Sequence, residues 1–279
     1  MNIRRIGAVC KVNHDGYLVN ESSWEKIDVR FKEAVTFVVD EIIAAFSKEI
    51  HSIYLRGSLP RGLAIEGVSD IDLLIVTHTP LGADELERLY SLEEKLTERF
   101  SFVNGVEAGV FPLGEVADRS RFHIIPFMIK TYSVCLYGEN LQGTLPDYKP
   151  DEKLANAHIV QLKSQIQQAK EDLVDNEDLE DIADCCTWIM KIIVRCGFAF
   201  VLIDEQTYTR DLYPAYERFS QYYPHQQKKM RQALVYAINP TSNAGEILSF
   251  LDEFGDWMIG EAEVWLNKHN PEKVDHLPL

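Results

Sequence analysis

The stretch Tyr54-Leu-Arg-Gly-Ser-Leu-Pro-Arg-Gly-Leu-Ala-Ile-Glu-Gly-Val-Ser-Asp-Ile-Asp-Leu-Leu-Ile-Val76 decides how this 279-residue chain is read. Its first residues complete a short β-prone run, Ser52 to Leu55, which Gly57-Ser58 ends. Gly57 allows close backbone approach. Ser58 offers a hydroxyl and a helix-start amide, and such groups suit a phosphate oxygen. A loop with Gly62 and Gly67 follows, and Asp70 to Val76 then enters a second strand. Residues two apart on a strand share a face. Asp70 and Asp72 therefore project side by side, with Ile71 and Leu73 on the other side. Two adjacent carboxylates in a run of Ile, Leu and Val repel each other and resist burial. A divalent cation is the usual compensation, and Mg²⁺ needs only one or two carboxylates plus substrate phosphates.

Gly57-Ser58 followed by Ser69-Asp70-Ile71-Asp72 resembles the signature of the nucleotidyltransferase superfamily that shares the DNA polymerase β fold. The fuller string, Gly-Ser-x-x-Arg-Gly ending in Ser-Asp-Ile-Asp-Leu-Leu, is similar to its small bacterial members. These are the minimal nucleotidyltransferases and the aminoglycoside and lincosamide adenylyltransferases. The resemblance implies a mixed sheet, two Mg²⁺ ions, and ATP or another NTP as co-substrate. It also implies a third carboxylate on a later strand. Val106 to Phe111 is the best match, and Glu107 is its only acid. Glu107 would then bind metal, deprotonate the acceptor, or do both. Glu115 and Asp118 are rivals that follow Pro112 and Gly114 and read as loop acids.

Outward from this segment, β-rich runs (Ser52 to Leu55, Ile71 to Thr77, Val106 to Phe111, Ser133 to Tyr137) alternate with helical stretches at Trp24 to Phe46 and Ala83 to Phe100. Around a central sheet, that is an α/β or α+β pattern. Gly143, Pro146 and Pro150 mark a turn or linker. Beyond it only helices are expected: Asp151 to Val174 as one, Leu179 to Ile203 as an apolar second, Pro224 to Ile238, and a last long one capped by Ser242 and running to about Asn267. The expected fold class is α+β, a mixed-sheet nucleotidyltransferase domain at 1–145 followed by an all-helical bundle of about five helices at 146–279.

The second half carries a further resemblance. Trp188-Ile-Met-Lys191 with Arg195, followed by Tyr208-Thr-Arg-Asp-Leu212, is similar to the helical domain of the kanamycin and streptomycin adenylyltransferases. The resemblance implies phosphate contacts from Lys191 and from Arg210. Lys191 and Arg195 are four apart, hence on one helix face. They face either a cleft or anion, or carboxylates such as Asp181 and Asp184. Asp211 can equally cap the next helix. Arg56 and Arg61 flank the Gly-Ser turn. A triphosphate suits one or two such arginines; Arg61, which falls within the resembling string, is favoured for it, and Arg56 either joins it or is solvent-facing or paired with Glu66.

Composition bounds the partners. A net charge of −16 argues against non-specific nucleic-acid binding, which depends on Lys and Arg. It suits a cationic small molecule drawn to the protein by long-range attraction, although acidity also simply keeps a protein soluble. The five cysteines lack C-x-x-C spacing, and Cys185, Cys186 and Cys196 read as small core residues. No secretory h-region opens the chain, and the apolar run Trp188 to Ile203 is interrupted by Lys191 and Arg195. A cytoplasmic protein with no membrane span is expected. The histidines show no metal spacing, and the tyrosines read as packing residues.

The expected activity is transfer of a nucleoside monophosphate from NTP to a hydroxyl of a small molecule such as an aminoglycoside. The expected metal ligands and catalytic groups are Asp70, Asp72 and Glu107, and the expected nucleotide contacts are Gly57, Ser58, Arg61, Lys191 and Arg210. A protein adenylyltransferase of toxin–antitoxin type and a catalytically silent nucleotide-binding module are the alternatives.

Overall fold

The structure, a computed structural model, describes residues 3–279. The chain forms two compact units, Val19–Tyr148 and a second made of Lys149–Leu279 together with the described residues up to Leu18. The division falls after Tyr148, and the N-terminal segment, read above with the sheet, packs with the helices.

The first unit is built on a four-stranded sheet: β1 (Ile50–Arg56), β2 (Ile71–Thr77), β3 (Val106–Pro112) and β4 (Val134–Gly138). The order is β3-β2-β1-β4. β1 runs antiparallel to both β2 and β4, and β2 runs parallel to β3, so the sheet is mixed. α1 (Val29–Phe46) starts at Asp28, whose carboxylate accepts from the Arg30 amide, a cap worth about 1 kcal/mol. Its buried residues, Phe31, Ala34, Val35, Val38, Val39 and Ile42, recur at helical spacing. Ile53, Leu55, Ile71, Leu73 and Ile75 meet them from the sheet, and Leu89 and Leu96 meet them from α2 (Ala83–Arg99). Each such side chain contributes about 1.5–3 kcal/mol by leaving water.

The other sheet face is also covered, because Tyr54, Leu74 and Val76 are buried there. This explains why β2 reads as an unbroken apolar run from Leu73 to Val76. A one-turn helix α3 (Leu113–Val116) follows β3, and α4 (Ile124–Tyr132) packs against β1. The sequence reading missed α4. Its mostly apolar stretch, with Pro126 in the first turn and only Lys130 and Thr131 as polar residues before Tyr132, carries no polar face broad enough to betray a helical period.

The second unit is helical. Val160 and Gln161 break the expected single helix 151–174 into α5 (Glu152–Ile159) and α6 (Leu162–Leu173). α7 (Leu179–Glu205) is the centre, in contact with α5, α6, α8 (Leu212–Tyr222), α9 (Gln227–Ile238) and the last helix. At 27 residues, α7 is long and apolar enough to cross a membrane, and 67% of its apolar window is buried inside the fold. The last segment is capped by Asn243 rather than Ser242. It runs as α10 (Ala244–Phe250), a π-helical turn at Leu251–Gly255, and α11 (Asp256–His269).

The N-terminal segment lies along the loop before α8. Cys10 N donates to Tyr208 O (2.7 Å), and the Thr207 and Thr209 hydroxyls donate to Cys10 O and Ala8 O. Ala8 N donates to Asp211 (2.8 Å). Asp211 thus holds the segment as well as standing at the start of α8. In the same region, His158 on α5 lies 2.8 Å from Tyr208 Oη.

His158 keeps some solvent contact but is densely surrounded, and burial pushes its pKa down to about 3, with Arg210 and Arg195 adding to the effect. An unfolded imidazole titrates near about 6.5. Between these values the unfolded chain binds a proton that the native chain does not. The stabilisation from neutral His158 is complete above about pH 6.5 and is lost as pH falls, at about 1.4 kcal/mol per pH unit. Melting temperatures between pH 7 and pH 5 check this. His158→Gln is expected to fall less steeply than wild type, and equal slopes would remove His158 from the acid response.

Candidate active site

The ends of three strands meet at the Gly57-Ser58 turn. β1 finishes at Arg56, and β2 and β3 start beside it. The register sets Arg56 opposite Asp72 and Asp72 opposite Glu107. Paired residues on neighbouring strands share a face, with strands about 4.8 Å apart. Arg56, Asp72 and Glu107 therefore form one row across the sheet.

Asp72 is the one residue of β2 that is not buried. Its Oδ1 is 2.9 Å from Arg56 Nη2, and the two side chains are 20% and 25% exposed. Its Oδ2 lies against Gly57. A Cβ added to Gly57 would sit 2.3 Å from that oxygen, and Gly57 has a φ of +88°. Both the positive φ and the close approach demand glycine here.

Asp70 precedes β2 and accepts from Asn104 Nδ2 at 2.9 Å. The backbone extends the parallel pairing on this side, with Ile71 N donating to Gly105 O. Ser58 Oγ donates to Ser69 Oγ (3.0 Å), which in turn accepts from Ile65 N (2.9 Å). This clasp joins the two ends of the intervening loop. Arg61 closes a 3₁₀ turn, Leu59–Arg61, and its guanidinium lies 5.5 Å from the centre of the Tyr132 ring.

Glu107 is exposed. Its charge is felt by Glu93 on α2, whose carboxylate accepts from Ala108 N at 2.6 Å and so covers the open edge of β3. Burial pushes the Glu93 carboxyl up and the Glu107 charge adds to this, against the Ala108 amide, which pulls it down. The rival acids sit further along. Glu115 is in α3, and Asp118 accepts from Ser120 N in the following loop.

Among the described residues, no group of three or more His, Cys, Asp or Glu is gathered as a metal cage. Asp70 and Asp72, two residues apart at the start of β2, offer carboxylates, the hard oxygen ligands that Mg²⁺ prefers. The space left by the missing Gly57 Cβ lies directly against one of them. These residues fit a Mg²⁺ ion completed by phosphate oxygens and water, rather than an all-protein site.

Asp70, Asp72, Glu107, Gly57, Ser58 and Arg61 are thus all at one end of the sheet unit. Lys191 and Arg210 belong to the helical unit. Lys191 is half-buried on α7. On the same helix, Arg195 Nε donates to Arg210 O at 3.2 Å. Of the carboxylates expected to face Lys191 and Arg195, Asp181 accepts from Asn176 Nδ2 at 2.7 Å. Two partners escaped the sequence reading. Arg56 pairs with Asp72, while Glu66 pairs with Arg30 at 2.7 Å. Asn104 holds Asp70 from the turn before β3. Neither carries a local signal, because each contact depends on strand register.

Residues 39–106 match the family of the nucleotidyltransferase domain. The span covers Gly57, Ser58, Asp70 and Asp72 and stops one residue before Glu107. No curated protein matches the chain. Among solved structures, spectinomycin adenyltransferase AAD(9) from Enterococcus faecialis, crystallised with ATP and spectinomycin, is similar at 12% identity. The match covers 86% of this chain and 99% of that one, with a TM-score of 0.46. The sheet unit carries a domain of the nucleotidyltransferase superfamily.

Proposed function

We propose that the chain, with its nucleotidyltransferase domain, transfers AMP from ATP to a hydroxyl of a small cationic acceptor and releases pyrophosphate. The observation that carries this reading is the row Arg56–Asp72–Glu107, with Asp70 beside it, at the end of the sheet where Gly57 and Ser58 turn. Asp70 and Asp72 hold Mg²⁺ in this reading. The metal, one or two ions, supplies charge neutralisation at the transferred phosphate and the leaving pyrophosphate.

The chain's own residues position the reactants. The bare Gly57 backbone admits a phosphate oxygen close to Asp72. Ser58 and Arg61 offer a hydroxyl and a guanidinium to the triphosphate, and Lys191 and Arg210 are further proposed phosphate contacts. Glu107, exposed in the same row, takes the proton from the acceptor hydroxyl. Most of the acceleration comes from orientation and fixed charge. The net charge of −16 favours a cationic acceptor such as an aminoglycoside over an anionic one, and a cytoplasmic location supplies the ATP.

Pyrophosphate release with ATP and Mg²⁺ across aminoglycosides, lincosamides and hydroxyl-bearing proteins tests this reading. Mg²⁺-dependent release with at least one small cationic acceptor is expected. Release with proteins alone would move the acceptor to a protein hydroxyl. Tight ATP binding with no release from any acceptor would make the chain a nucleotide-binding module.

A further inference from the structure

Arg56 stands directly across the ladder from Asp72. The two are the last pair of the β1–β2 ladder, so the register itself presents the guanidinium to the carboxylate. The contact is a single one, Nη2 to Oδ1 at 2.9 Å, within a pair that is mostly shielded from solvent. Asp70 has a different tether, the neutral amide of Asn104. Arg56 thus brings a positive charge directly to Asp72.

Arg56 also immediately precedes the Gly57-Ser58 turn, where the reading above puts the triphosphate. A guanidinium matches phosphate oxygens at least as well as a carboxylate, since its planar fork of N–H donors can engage two of them at once. A single-contact pair is readily surrendered to a divalent cation of twice the charge. We infer that Arg56 is the resident counter-ion of Asp72, holding its carboxylate until metal and nucleotide arrive and then turning to the phosphates. This rests on the reading of Asp72 as a metal ligand.

In this role Arg56 opposes the bare metal and favours the nucleotide, and the two effects have opposite signs. Mn²⁺ binding is measured by calorimetry without nucleotide, and a non-hydrolysable ATP analogue is then titrated in Mg²⁺. Wild type is compared with Arg56→Gln, Arg56→Lys and Asp72→Asn. Arg56→Gln is expected to bind Mn²⁺ about fivefold more tightly and the analogue about tenfold more weakly. Arg56→Lys keeps the charge and is expected to stay near wild type for Mn²⁺. A merely structural defect weakens both ligands together, so parallel losses in Arg56→Gln overturn the assignment, as does unchanged Mn²⁺ affinity. Asp72→Asn separates the two levels of inference. If it loses Mn²⁺ binding while Arg56→Gln changes nothing, only the role of Arg56 falls. If it binds Mn²⁺ as wild type does, the reading of Asp72 as a ligand fails, and the role of Arg56 fails with it.

Discussion

Asp72→Asn is expected to reduce Mg²⁺-dependent nucleotidyl transfer by roughly a thousandfold while the protein stays folded. The substitution is nearly isosteric and removes the negative charge that the reaction is proposed to need. It also leaves Arg56 without its charged partner, which in a pair mostly shielded from solvent costs about 1–2 kcal/mol. Activity and stability therefore separate. Pyrophosphate release measured alongside circular dichroism and thermal melting checks the outcome. Turnover within tenfold of wild type would rule out Asp72 as a metal ligand. Asp70→Asn should lose activity as well, and its hydrogen-bond partner Asn104 can still pair with the new amide, so its melting temperature should change little.

The second large effect falls on Gly57, where a single methyl group does the damage. Gly57→Ala puts a Cβ 2.3 Å from Asp72 Oδ2, at a residue whose φ is +88°. The left-handed backbone costs a non-glycine residue about 1–2 kcal/mol. The clash adds to this and pushes the Asp72 carboxylate out of line. A loss of about 2–3 kcal/mol in stability and about a hundredfold in turnover is expected. Gly114→Ala is the control, since no atom lies within 4 Å of its would-be Cβ and its φ is not in the left-handed range. That variant should melt within a degree or two of wild type. If Gly57→Ala matches it in both stability and rate, the close approach of backbone and carboxylate has no functional weight.

Much of the sheet unit was readable from local pattern. Apolar runs bounded by Gly, Pro and Ser placed all four strands to within two residues of where they lie. The helical stretch at Ala83 to Phe100 matches α2, whereas the one at Trp24 to Phe46 starts too early: Trp24–Lys26 is a separate 3₁₀ turn, and α1 begins at Val29 after the Asp28 cap. The helical half was harder. Val160 and Gln161 interrupt α5 and α6 without any Gly or Pro to announce it, because packing of both helices against α7 sets the break. Ser242 and Asn243 are both good caps, and only the path of the chain chooses Asn243. The docking of residues up to Leu18 on the loop before α8 uses backbone amides and Asp211, groups that every sequence offers and that specify no partner until the chain folds.

The sequence by itself determined the turn at Gly57-Ser58, the strand that carries Asp72, and the acid two residues before it. These are short-range facts, set by glycine's freedom at positive φ and by the two-residue repeat of a strand. Only the tertiary structure decided what stands next to those carboxylates. Arg56 comes from the antiparallel neighbour and Glu107 from the parallel one, each joined through a loop or crossover that permits many registers. A shift of one residue in either pairing would turn these side chains to the opposite face. The burial of Ile53, Leu55, Ile71, Leu73 and Ile75 against α1 excludes that shift. The core thus sets the register, and the register sets the charges that Asp72 meets.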